Sequence, residues 1–240
     1  MARLRRLYAA SLPTTASVLE LDEEARRHAQ VLRLRAGDEI TLFDARGGEA
    51  TARVRSNDKR ALLCDVEPGR RLAPREARLC LVVCIPKAAK LELIVRMATE
   101  LGVHAIRLAE SERSVPRLSA DSPKLERLRR IALEACAQSE QAWAPELSGP
   151  LPLAAAAAAP LDAAKFVFWE NATAALSVGP TQSREVWAVV GGEGGLCEHE
   201  VAVLSGLGYA QVGLGSGILR VETACVVATA LLLDRLGMLR

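Results

Sequence analysis

Aromatic side chains are scarce in this 240-residue chain: three Trp, two Tyr and three Phe, 3% of the residues. That argues against a protein that reads nucleic acid mainly by stacking bases on aromatic platforms. Excess charge is also lacking, with a formal net charge of +2 and a pI near 8.3, so nucleic-acid contact has to come from local patches. There is no uninterrupted apolar run of membrane-spanning length, and no apolar stretch follows the Arg-rich start; a soluble cytoplasmic protein with no membrane partner is expected. The six cysteines, at 64, 80, 84, 136, 197 and 225, show no CxxC pairing and mostly lie in apolar runs, as buried thiols in a reducing compartment do. Cys197 and His199, flanked by Glu198 and Glu200, are too few ligands for a closed zinc site, so no metal is expected. A GxxxxGK[ST] loop is missing, and Gly213-Leu214-Gly215-Ser216-Gly217 does not have GxGxxG spacing; ATP and NAD both recede.

What is present is hydrophobic residues, half of the chain, in two successive rhythms. Residues 1–70 alternate short strand signals (18–21, 39–43, 49–56, 61–66) with turns, around one helix at 22–32 for which Asp22 is the expected N-cap. This reads as a small β-barrel or curled sheet. Arginines recur two apart (Arg3 with Arg5, Arg33 with Arg35, Arg53 with Arg55), a spacing that puts each pair on one strand face, where it tracks phosphates or simply meets solvent. Pro68, Gly69 and Pro74 mark a linker, taken here as 71–77. From 78 to 240 strands and helices alternate: an apolar run at 79–85, a helix at 90–101 ending at Gly102, a strand at 104–108, a long helix at 124–139 and a strand at 165–169. An α/β domain with a mostly parallel sheet follows. The last helix, 222–236, is apolar nearly all round, which predicts burial within its domain or against a second copy in a homodimer.

Two glycine-bearing stretches each follow a short strand and precede a helix: Gly191-Gly192-Glu193-Gly194-Gly195, and the segment 214–224. Glycine lets a ligand approach bare main chain, and helix N-termini aim free N–H groups into such a crevice; the same pattern also marks plain tight turns. Glu193 either caps a helix or accepts from a ligand. Arg220 and Glu222 either pair with each other or line the pocket.

These stretches, together with Glu100-Leu101-Gly102-Val103, Glu112-Arg113-Ser114, Arg3 to Arg6, His28 to Arg33, Gly37-Asp38, Lys87, Lys90 and Glu92, resemble the RsmE-type ribosomal RNA methyltransferases of the SPOUT superfamily over essentially the whole chain. The resemblance implies a PUA-like β-barrel at 1–70 that binds RNA, then a SPOUT domain at 78–240 with a C-terminal trefoil knot. It also implies a homodimer, S-adenosylmethionine as cofactor, and methylation of uridine N3 in 16S ribosomal RNA of the small subunit. It places Gly191, Gly192, Glu193, Gly195, Leu214, Gly215, Ile218 and Leu219 at the cofactor, Arg220, Glu193 and Glu222 in catalysis, and Arg3, Arg5, Arg6, Arg33 and Arg113 on RNA. Four positions depart from the family pattern: Gly192 for proline, Gly217 and Gln141 for arginine, and Met97 for lysine. The different-class alternative is a non-catalytic RNA-binding or ribosome-assembly factor of the same fold.

Overall fold

A computed structural model describes residues 5–114, 118–119, 121–176 and 183–239. Its contacts divide the chain into two units, Met1–Pro74 with Leu133–Ala144, and Arg75–Ala132 with Pro145–Arg240.

In the first unit the elements are β1 (Arg5–Tyr8), β2 (Ser17–Leu21), α1 (Glu23–Val31), β3 (Glu39–Phe43), β4 (Gly48–Asn57), β5 (Leu62–Val66) and β6 (Arg70–Arg71). The strands form one curled sheet in the order β1-β3-β4-β5-β2, with β6 against β4. Strand β4 alternates buried Ala50, Ala52 and Val54 with exposed Thr51, Arg53 and Arg55, the period of two that one covered face demands. Helix α1 starts where Asp22 Oδ1 accepts from the Ala25 N–H at 2.8 Å, so the expected N-cap is formed. Buried Ala25 and Ala29 turn its apolar side to the sheet.

Three details differ from the sequence reading. The linker stretch carries β6, because Arg70 and Arg71 pair with Glu49 and Gly48. Arg33 and Arg35 do not lie on a strand: they sit in the turn after α1, and Arg33 has φ of +54°, so the shared-face argument fails there. Residues 133–144 return to this unit, since Trp143 lies against Gly47, where any side chain would overlap the indole. Gly47, at φ of +90°, is required twice over, by conformation and by that contact.

The second unit contains β7 (Arg78–Cys84), α2 (Ala88–Leu101), β8 (Ala105–Glu110), the first part of α3 (Pro123–Ser139), β9 (Glu146–Pro152), α4 (Leu153–Ala156), β10 (Ala164–Phe168), β11 (Glu185–Val190), α5 (Glu198–Gly206), β12 (Ala210–Val212) and α6 (Val221–Arg235). Six parallel strands run in the order β12-β10-β11-β7-β8-β9. The continuous apolar run at β7 is explained by burial on both faces. Leu79, Leu81 and Val83 join the core made with α2, α3 and α6, while Cys80, Val82 and Cys84 join the one made with α4 and α5. The α2 helix stops at Gly102, whose φ of +87° gives a left-handed cap. The alanine-rich stretch yields a helix of four residues, with Ala156 and Ala157 buried. Cys225, Ala228, Leu232 and Leu233 of α6 are buried, but Leu231 is 43% exposed, so within one chain the helix is covered on one side. No described helix is long and apolar enough to cross a membrane.

Candidate functional site

Strands β12, β10 and β11 are neighbours in parallel register, with Phe168 opposite both Val190 and Val212. Their carboxyl ends therefore share one edge, the edge at which open α/β sheets place ligands. Each strand runs there into a loop: 191–197 after β11, 169–176 after β10 and 213–220 after β12.

The first loop folds on itself. The Gly195 N–H donates to Gly192 O at 3.1 Å, and a Cβ on Gly191 would lie 3.0 Å from the Gly195 carbonyl carbon, so a side chain there would press on the turn's own backbone. Gly195 has φ of +67°. Leu196, buried, then anchors the entry to α5. In the last loop Gly213 donates to Ala174 O at 2.9 Å, and Gly215 has φ of +114°. Nothing lies within 4 Å of where a Cβ on Gly215 or Gly217 would be. Residues 215–220 are exposed, Leu214 is half-buried, and Ile218 is 90% exposed, a large apolar side chain left to cover something.

Lys90 in the first turn of α2 ties these loops together. Its ammonium lies 3.3 Å from Glu193 Oε1 and 3.7 Å from Glu222 Oε2. Glu193 Oε2 also accepts from the Lys87 N–H at 3.2 Å. Glu193 is thus a carboxylate at a helix N-terminus, as one of the two sequence readings had it, but the helix is α2, distant in sequence, rather than the α5 that follows it. Glu222 Oε2 is buried and makes no hydrogen bond, so Lys90 is its counter-charge among the described residues. The Arg220–Glu222 pair left open above does not form. Arg220 holds the N-cap position of α6 in an extended conformation without a side-chain cap bond, and it is exposed.

A second set of bonds fixes Arg113. Buried Glu200 accepts from the Glu112 N–H at 2.8 Å and from the Cys197 N–H at 2.9 Å. The Cys197 thiol in turn donates to Glu112 Oε2 at 3.0 Å, and this carboxylate holds the thiol above its ordinary pKa. Arg113 consequently lies along the glycine loop, its Nη1 donating to Gly194 O at 3.0 Å.

The structure therefore brings Glu193 and Glu222 to one lysine, with Gly191, Gly192 and Gly195 in the turn that bears Glu193, Arg113 bonded to that turn at Gly194, and Leu214, Gly215, Ile218, Leu219 and Arg220 on the turn that leads into Glu222. The sequence reading took Lys90 only as part of a motif; its i, i+3 offset from Lys87 at a helix start was the available signal. Of the arginines expected on RNA, Arg3 lies outside the described residues. Arg5 pairs with Asp38 at 3.0 Å and is exposed, and Arg33 is exposed. Arg6 differs from them: its side chain is 8% exposed, 2.7 Å from Glu49 and 3.1 Å from Gln141 O, with its guanidinium 4.9 Å from the Phe43 ring centre. That arginine braces the first unit: both of its terminal nitrogens are engaged by Glu49 and Gln141, and its buried Nε makes no hydrogen bond.

A concavity of about 440 Å³ lies on the sheet of the first unit, lined by Val18, Glu39, Arg53, Asp65 and Glu67 among others. It holds none of the residues above, and its carboxylates outnumber its arginine. Among the described residues no group of three or more His, Cys, Asp or Glu is placed to hold a metal ion.

The RNA methyltransferase domain model matches residues 73–233, and the RNA methyltransferase PUA domain model matches residues 21–67. A ribosomal RNA small subunit methyltransferase E from Mycobacterium tuberculosis is 30% identical over 92% of this chain and 88% of its own length. One of the same name from Bacillus subtilis is 30% identical over 91% and 90%. The crystal structure of a ribosomal RNA small subunit methyltransferase E from Neisseria gonorrhoeae bound to S-adenosyl methionine superposes with a TM-score of 0.89 at 28% identity, covering 97% of this chain and 98% of that one. With matched models on both units and relatives aligned over nearly their full length, the chain belongs to the RsmE-type RNA methyltransferase family.

Proposed function

We propose that the chain transfers a methyl group from S-adenosylmethionine to N3 of a uridine in 16S ribosomal RNA of the small subunit. The observation that carries this is the convergence of two glycine-bearing strand-end loops, tied through Lys90 to Glu193 and Glu222. The residues suit a cationic nucleoside. Half-buried Gly191 and Gly195 and exposed residues 215–219 offer main chain for hydrogen bonds to a base and a sugar, and Leu214, Ile218 and Leu219 offer apolar cover. Carboxylates at 193 and 222 suit a positive ligand and repel a phosphate. The names of the relatives supply the RNA and the subunit.

The cofactor, when bound, supplies a methyl group already activated by its positive sulfur. The protein's part is to hold the uracil edge in place and to offset the charge that develops as the N3 proton leaves. Arg220 suits that role, being exposed at the loop end and making no hydrogen bond or ion pair through its side chain with a described residue. Glu193, held by Lys87 and Lys90, orients ligand, and Glu193 or Glu222 receives the proton. Arg113, Arg5 and Arg33 meet the RNA, whose target base has to be splayed out to expose N3. A homodimer through exposed Leu231 of α6 and Ile218, a cytoplasmic location, and the trefoil threading of the chain's end belong to the same reading.

The test is to incubate the protein and methyl-labelled cofactor with small ribosomal subunits from cells lacking the enzyme and to map the labelled base. Label at N3 of a single 16S uridine is expected. Cofactor binding without transfer to any subunit RNA would support the non-catalytic assembly factor instead.

A further inference from the structure

The middle of the three loops has no part in the reading so far. Strand β10 lies between β12 and β11, so the segment that follows it, 169–175, leaves the sheet between the two glycine loops. On the β12 side it is fastened by backbone. The Trp169 N–H donates to Val212 O at 3.0 Å, the Gly213 N–H donates to Ala174 O at 2.9 Å, and a Cβ on Gly213 would lie 3.0 Å from Ala172 O. On the β11 side it presents Glu170. A Cβ on Gly195 would lie 2.6 Å from Glu170 Oε1, so this carboxylate rests over main chain that only glycine leaves bare.

Glu170 is exposed, and no hydrogen bond or ion pair joins it to a described residue. It differs in this from the other carboxylates of the site. Glu193 and Glu222 share Lys90, and Glu200 is satisfied by two N–H groups. The flanks of the β11 loop also differ. Gly192 faces Cys84 at the end of β7, the side from which Lys87 and Lys90 reach Glu193; Gly195 faces Glu170 on the β10 side. The β7 flank thus carries both charge signs, matching the zwitterionic amino-acid end of a cofactor. The β10 flank carries one acceptor-only carboxylate, matching a pair of hydroxyl donors.

We propose that Glu170 is a cofactor-positioning residue, its carboxylate accepting hydrogen bonds from the ribose hydroxyls of the nucleoside. This rests on the cofactor reading above. It adds a residue from a third loop, which closes the cleft between the two glycine turns.

Calorimetric titration of the intact protein tests it with two ligands: S-adenosylhomocysteine, and methylthioadenosine, which keeps the ribose and lacks the amino-acid end. Glu170→Ala is expected to weaken both by about 10- to 100-fold, as the loss of charge-assisted hydrogen bonds does. Glu170→Gln, which keeps one acceptor, is expected to weaken them less. The 2′-deoxy and 3′-deoxy forms of methylthioadenosine should bind the wild type and the Ala variant more nearly alike. An unchanged urea midpoint, expected for an exposed side chain, assigns the losses to binding. Loss for S-adenosylhomocysteine alone, or for neither ligand, overturns the proposal. Failure of the wild type to bind either ligand overturns the cofactor reading itself, and so tells the two apart.

Discussion

Replacing Lys90 with Met removes the ammonium that faces both Glu193 and Glu222 while keeping much of the side chain's volume. At an effective dielectric near 20, the separations of 3.3 and 3.7 Å give gross attractions of about 5 and about 4.5 kcal/mol, so distance alone favours Glu193 by only a tenth. Exposure differs more: the side chain of Glu222 is 15% exposed and that of Glu193 is 29%. Water around Glu193 roughly halves what it gains, and its carboxylate keeps the Lys87 N–H, whereas Glu222 Oε2 has no hydrogen bond to fall back on. Burial should therefore decide. Double-mutant cycles with Glu193→Gln and Glu222→Gln, read by urea denaturation, are expected to give a coupling of about 1–2 kcal/mol for Lys90 with Glu222 and under about 1 kcal/mol with Glu193. A larger coupling to Glu193 would refute the argument and show that the shorter contact governs.

Arg220→Ala is expected to abolish methyl transfer with little change in cofactor affinity by calorimetry; equal loss of both would make Arg220 structural. Burial pushes the Glu49 carboxyl up, but hydrogen bonds from Arg70 and Arg6 outweigh it and hold the group below its ordinary 4.5. Its stabilisation is then complete above that value and is lost as pH falls through the lowered folded one. The stability gap between wild type and Glu49→Gln, about 3 kcal/mol at neutral pH because Arg6 is left buried without its partner, should shrink in urea titrations taken from pH 6 towards pH 3. Five of the six free thiols are buried, with Cys80 and Cys84 pushed up to about 12 by burial. A disulfide reagent should therefore label one site, Cys197, slowly in the native protein and six in urea; fast native labelling of more than one would contradict the core described here.

The sequence carried most of the elements because local rules decided them. Asp22 caps α1, Gly102 ends α2, and the apolar run at 79–85 becomes a strand covered on both sides. Where it failed, a partner distant in the chain decided. The return of 133–144 to the first unit depends on Trp143 filling the space over Gly47, which no local pattern encodes. Arg6 looked like a surface charge until the fold set Glu49 beside it from another strand. At the site, the glycine turns and their two glutamates were legible as motifs, but Lys90 and Glu170 were not singled out. Their roles follow from the sheet order, with β10 between β12 and β11 and α2 rising from β7.

Glu200 has one more effect. By gripping the backbone of residue 112 and the first residue of α5 at once, it makes the stretch that bears Arg113 and the turn ending at Gly195 travel as a single body. If Arg113 meets the RNA and the turn holds the cofactor, as proposed, any coupling between the two sites through this link is equal in both directions. In the proposed roles, substrate and methyl donor would then change each other's affinity by the same factor, with one buried acid as the coupling between them.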